Sequence, residues 1–165
     1  MPNLYEISVP VFIRGLRSLN HLLVKAAESG IDERSLIDAR LAPDMLPLAG
    51  QVQIACDTAK LAVMRIALTS PMPMVDDELT LTQLRERITR TIVYLEQADP
   101  VAFEGREAAT IMLRTPLVEK AYTGQDFLTG FSLPNFFFHV TATYALLRLM
   151  GVKLGKLDYF AGDRS

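Results

Sequence analysis

The chain has 165 residues, with 17 basic against 19 acidic side chains, and this near-neutral balance leaves no electrostatic footprint for nucleic acid. Half of it is hydrophobic, enough for a buried core, so disorder is excluded and the length suits one domain over residues 1–165. A single Cys excludes a disulfide framework, a zinc finger and a CxxC redox site, and two His leave little material for a His-rich metal site.

The opening residues MPNLYEISVPVFIRGLRSLN lack a basic stretch leading to a small-residue cleavage site. Apolar runs elsewhere fall short of the roughly 18–20 residues a membrane span needs. The expectation is a cytoplasmic protein with no membrane partner. Val9, Phe12, Ile13, Leu16, Leu19, Leu23 and Ala26 then recur at spacings of three and four, which predicts a first helix. Ser8 is its candidate N-cap and Gly30 its stop. His21 falls opposite the apolar stripe and reads as a solvated histidine.

A connector follows over residues 31–45, with a short helix starting near Asp32 and ending at Asp38. The second long helix is expected over residues 47–68. It carries two apolar arcs, Leu48, Val52, Ala55, Ala59, Val63 and Ile66 against Ile54, Leu61, Met64 and Leu68. A helix apolar on two sides is covered on two sides, by neighbours or by a second subunit. The TSPMPMVDDE segment must be a loop. The third long helix begins at Thr80, where Thr80 and Gln83 fit a capping box, and ends at Asp99-Pro100. Arg85, Glu86, Arg87 and Arg90 read as its solvated side.

Residues 107–122 lack helical spacing and predict a short, irregular β-hairpin, with Ile111, Leu113, Leu117 and Val118 flanking Thr115-Pro116. The last helix opens at Thr123, where Thr123 and Asp126 make another capping box, and closes at Gly151. Pro134 removes a helical hydrogen bond to the Gly130 carbonyl, so the helix should kink or restart there. Four helices of this length predict an all-α, four-helix bundle with a hairpin between the third and fourth.

The chemistry concentrates in SLPNFFFHVTATYALLRLMG, residues 132–151. Asn135 and His139 stand one turn apart on one helical arc with apolar flanks, so His139 points inward. Gln53 and Asp57 have the same spacing on the second helix, with Lys60 beside them. Buried polar groups need partners, because an unsatisfied one costs about 1–3 kcal/mol. Two readings stay open: a hydrogen-bond network that fixes helix register, or a polar-floored pocket between the second and fourth helices. Arg40 and Asp44 flank a proline in the connector, as an ion pair or a pocket mouth. Cys56 lies in an apolar helix and reads as core. The Phe136-Phe137-Phe138 triplet spreads around its helix, so one ring must face away from the bundle axis. No Gly-rich phosphate loop, GxSxG elbow or HExxH motif is present, so no cofactor is indicated.

Three separated segments, LPNFFFHVTATY, RLAPDMLP and AYTGQDFL, resemble one bacterial family of unknown function in the DinB/YfiT-like superfamily of metal-dependent four-helix bundles. The resemblance covers residues 3–160. It implies a metal site of three histidines, one on the second helix and an HxxxH pair on the last, with a glycine twelve residues after the pair. His139 stands twelve residues before Gly151 and matches the pair's second position. Asn135 stands at the first, and Gln53 most resembles the second-helix position, followed by Asp57 where members often carry an acid. Two of three imidazoles are thus replaced by amides, which are poorly suited to holding zinc or nickel.

Two functions compete. One is a small-molecule-binding or structural bundle with a degenerate metal site at His139, Asn135, Gln53 and Asp57, without cofactor. The other is a metal-dependent transferase or hydrolase of a small thiol or related metabolite, with His139 as base or sole strong ligand. The second helix and the phenylalanine triplet further predict a homodimer, because large exposed apolar patches are uncommon on monomers.

Overall fold

The computed structural model describes residues 3–114 and 119–163. Its elements, in chain order, are α1 (Val9–Ala27), α2 (Glu33–Asp38), α3 (Leu48–Ala67), α4 (Leu81–Glu96), β1 (Thr110–Arg114), β2 (Glu119–Thr123), α5 (Gly124–Asp126), α6 (Leu133–Leu149) and α7 (Lys156–Tyr159). Short 3-10 turns cover Pro100–Phe103 and Ala161–Asp163. The chain is mostly helical, with one small antiparallel sheet.

Both α1 and α3 pack on α4 and on α6, so the four long helices close a ring around one core. The periodic residues supply that core: Phe12, Leu16, Leu19 and Leu23 from α1, Val52, Ala55, Ala59 and Ile66 from α3, Leu84, Ile88 and Leu95 from α4, and Phe136, Leu146 and Leu147 from α6 are all fully buried. The two sides of α3 are thus met by different neighbours in the same chain. Its second arc is only partly covered, with Leu61 and Leu68 exposed.

Local chemistry sets the ends of these helices. Thr80 and Gln83 form the expected reciprocal capping box. Asp32 accepts the Ser35 N–H at the start of α2, and Thr123 accepts the Asp126 N–H. Ser8 occupies the N-cap position of α1, but its hydroxyl turns back to the Leu4 carbonyl. Close approach of α1 to α6 depends on Gly15. A Cβ there would stand 2.4 Å from the Phe136 ring, which is wedged between Phe12 and Phe137 at centroid distances of 5.0 and 5.1 Å and cannot retreat.

The hairpin pairs β1 with β2 in a register from Thr110 opposite Thr123 to Arg114 opposite Glu119. Ile111 and Leu113 bury their side chains against the helices, as a two-stranded sheet must to be stable. Thr115-Pro116, Leu117 and Val118 lie outside the described residues.

Helical conformation does not lapse at Pro134. It widens into a π turn over Phe127–Ser132, and α-helical bonding resumes at Leu133. The proline then sits at the start of α6, directly after the π turn, where the wider bonding pattern accommodates its missing N–H. The expected kink or restart at Pro134 is thus replaced by a π turn that precedes the proline, with helical conformation unbroken.

Candidate functional site

On the α6 side of α3, four polar side chains meet in neutral pairs. Asn135 Nδ2 donates to Thr58 Oγ1 at 2.8 Å, and His139 Nδ1 lies 2.8 Å from Gln51 Oε1. Gln51 is fixed by its own amide, whose Nε2 donates to the Leu46 carbonyl. Its Oε1 can only accept, so His139 carries its proton on Nδ1 and leaves the Nε2 lone pair unprotonated. His139 is 8% exposed, and burial holds its pKa below the ordinary imidazole value. Thr143 Oγ1 donates to the His139 carbonyl one turn on, at 2.9 Å.

On the α4 side of α3 the groups are charged. Arg87 is buried to 1% side-chain exposure, and its Nη2 reaches Asp57 at 2.9 Å and Asp76 at 2.8 Å while Nη1 reaches Glu78 at 2.9 Å. Nη1 also donates to the Val75 carbonyl. Lys60 joins them, with Nζ 2.9 Å from Asp57 Oδ1 and 3.1 Å from the Met72 carbonyl. Gln53 Nε2 donates to Glu78 at 2.8 Å. Burial would raise the Glu78 pKa, but the hydrogen bonds from Arg87 and Gln53 outweigh it and hold it below the ordinary carboxyl value. Burial would likewise lower the Arg87 pKa, and the carboxylates around it reverse the sign. Beside this cluster lies a cavity of about 450 Å³, walled by Leu61, Met64, Tyr94 and the loop carrying Pro71, Met72, Pro73 and Met74, with Asp57 and Lys60 on its floor.

The residues expected to share one pocket therefore divide. His139 and Asn135 face α3 as their arc requires. Gln53 and Asp57 face the other way, and His139 meets Gln51 instead. Positions two apart on a helix point about 200° away from each other, so Gln51 and Gln53 cannot serve the same side. Arg40 and Asp44 belong to neither cluster: Arg40 Nη1 donates to the Met45 carbonyl, and Asp44 is exposed. Arg87 is not part of a solvated face, whereas Glu86 and Arg90 are. One signal for it was present. Arg87 lies three residues after buried Leu84 and four before buried Thr91, and three acids precede it in the TSPMPMVDDE loop. His21 is half-buried and paired with Asp158 at 3.0 Å. Cys56 is fully buried, and burial pushes its thiol up to about 12, which rules out a ready nucleophile.

A three-histidine metal site does not fit these donors. His139 offers one lone pair, and the neighbouring Gln51 and Asn135 are amides already committed to protein partners. Among the described residues no group of three or more His, Cys, Asp and Glu side chains converges on a point that could hold a metal ion.

Fold and site together define a mostly helical protein of DinB-like architecture, with a neutral polar contact between α3 and α6. The chain belongs to the family described as Domain of unknown function (DUF1993), which matches residues 4–160. It is similar to a solved DinB family member protein from Shewanella denitrificans, with 39% identity over 95% of this chain and 91% of that one and a TM-score of 0.85. No curated protein matches it.

Proposed function

We infer that this chain is a single-domain, DinB-like four-helix bundle with a degenerate metal site, acting as a small-molecule-binding or structural protein. The observation that carries this reading is the His139 and Gln51 pair. Its geometry commits one ring nitrogen to an amide oxygen, and among the described residues no group of three or more His, Cys, Asp and Glu side chains could hold a metal ion. A metal that lowers the pKa of bound water is ordinarily held by three strong protein ligands. One imidazole with two amides falls short of that requirement.

The test is metal analysis of protein purified without a His-tag. Substoichiometric zinc, nickel and iron are expected, with no release of metal in His139→Ala. Stoichiometric metal lost in that variant would overturn the reading and favour a metal-dependent transferase or hydrolase of a small thiol or related metabolite. A homodimer belongs to the same proposal, supported by exposed Phe138 on α6, Leu61 on α3 and Leu68 just past its end. Sedimentation at 18.4 kDa, the mass of one chain, would remove that part.

A further inference from the structure

We propose that the methionine-lined cavity beside α3 binds a neutral, largely apolar small molecule bearing one head group that both donates and accepts hydrogen bonds, such as a primary amide or an alcohol. This rests on the small-molecule-binding part of the reading above, but uses the side of α3 that faces away from His139.

The cavity has the size and the lining that such a ligand needs. Its volume of about 450 Å³ lies within the range of small-molecule sites, which are mostly apolar with few polar groups. Met64 comes from α3, and Met72 and Met74 from the loop. Met72 and Met74 both line the cavity, together with the prolines beside them. Unbranched thioethers adapt to ligands of differing shape, and the Tyr94 ring adds a flat wall. The Tyr94 hydroxyl is spent elsewhere, on Thr69 and the Ser70 carbonyl.

The head group follows from counting protons. The Lys60 side chain is 7% exposed and its ammonium has three N–H donors, of which Asp57 Oδ1 and the Met72 carbonyl take two. The third has no acceptor among the described residues. Asp57 Oδ1 receives both Lys60 and Arg87, while Oδ2 has no donor among them. A head group at the cavity floor therefore meets one free donor and one free acceptor. Charge and hydrogen-bonding capacity together disfavour the ionic alternatives. Lys60 and Arg87 face three carboxylates, Asp57, Asp76 and Glu78, so an added anion meets a net negative cluster. An ammonium head group can donate to Asp57 Oδ2 but cannot accept from Lys60 and is repelled by it, so only a neutral group that both donates and accepts uses both free positions.

The experiment uses protein with 13C-labelled methionine methyls and a matched series: hexanamide, hexan-1-ol, hexanoate and hexylammonium. Hexanamide and hexan-1-ol should shift the methyls of Met64, Met72 and Met74 saturably and leave Met45, Met112 and Met150 in place. Hexanoate and hexylammonium should bind at least about tenfold more weakly, the factor a lost polar pairing produces. Lys60→Met should weaken hexanamide by about the same factor. Met64→Phe, which fills the cavity without touching the charges, should abolish the shifts, and circular dichroism checks that both variants fold. The proposal falls if no probe saturates those three methyls, if the four probes bind equally, or if a folded Lys60→Met binds hexanamide unchanged. It also falls if a folded His139→Ala loses hexanamide, since the ligand would then belong to the α6 side. Stoichiometric metal at His139 would overturn the degenerate-site reading and leave the hexanamide result standing.

Discussion

On the side of α3 that faces α6, the buried polar groups are neutral and joined in separate pairs, Gln51 with His139 and Thr58 with Asn135. On the side that faces α4, full charges converge on one guanidinium, which three carboxylates share. The two arrangements are buried by the same helix, yet they fail differently. A neutral pair that loses one member leaves one unsatisfied group. A shared cation that is removed leaves three carboxylates without their common partner, among them Glu78, whose side chain is only 10% exposed.

The largest expected effect is therefore at Arg87. Arg87→Met keeps bulk and removes the charge, leaving buried Glu78 without a cation while Asp57 keeps Lys60, and should cost about 3–5 kcal/mol in urea unfolding. A loss below about 1 kcal/mol, the scale of exposed ion pairs, would show that water reaches the cluster and that the contrast is false. His139→Ala should cost about 1–3 kcal/mol, because only Gln51 Oε1 is left without its donor. If the two losses prove equal, the two sides of α3 are energetically alike.

Acid separates the two sides without mutation. The folded His139 ring resists protonation, whereas the unfolded one titrates at its ordinary value of 6.5. Its contribution is full above that pH and is lost as the pH falls, because the unfolded chain then binds the extra proton. Glu78 is depressed below its ordinary 4.5, so its contribution is full above that pH and is lost below it, as the unfolded carboxyl takes up the proton before the folded one. Urea midpoints should fall in two stages on acidification. His139→Gln should flatten the first stage and spare the second. A first stage unchanged by that substitution would assign it to another group.

The smallest effect calibrates the rest. Arg34 and Asp38 pair at 2.5 Å on α2, but their side chains are 64% and 55% exposed. Arg34→Ala should cost no more than about 0.5 kcal/mol, since solvent screens an exposed i,i+4 pair. A cost near that of Arg87→Met would mean that burial is not what distinguishes the two arginines.

These differences explain which parts of the molecule were legible in its sequence. The periodicity of α1, the capping box at Thr80 and the hairpin near Ile111 are local, decided by residues within a few positions of one another. The inward direction of His139 followed from its own arc for the same reason. Its partner did not, because Gln51 and Gln53 are both plausible by residue type and only the docking of α3 on α6 selects between them. Arg87 was misread because its partners come from a loop with no periodicity, folded back over α3. A helical projection of α4 contains no sign of that return.

The loop over residues 69–80 has no regular structure, and such segments are ordinarily where a protease cuts a folded protein first. Here its backbone is tied down by side chains from the helices beneath it. The Ser70 carbonyl accepts from Tyr94, Met72 from Lys60 and Val75 from Arg87, while Glu78 is gripped by Arg87 and Gln53. Cleavage there needs several strands of this tether to release together. Nicking of the loop should thus follow the opening of the whole fold, with a rate that rises in urea in step with global unfolding. In Arg87→Met the same peptide bonds should be cut from a state whose core is still closed, turning a lid into a fuse.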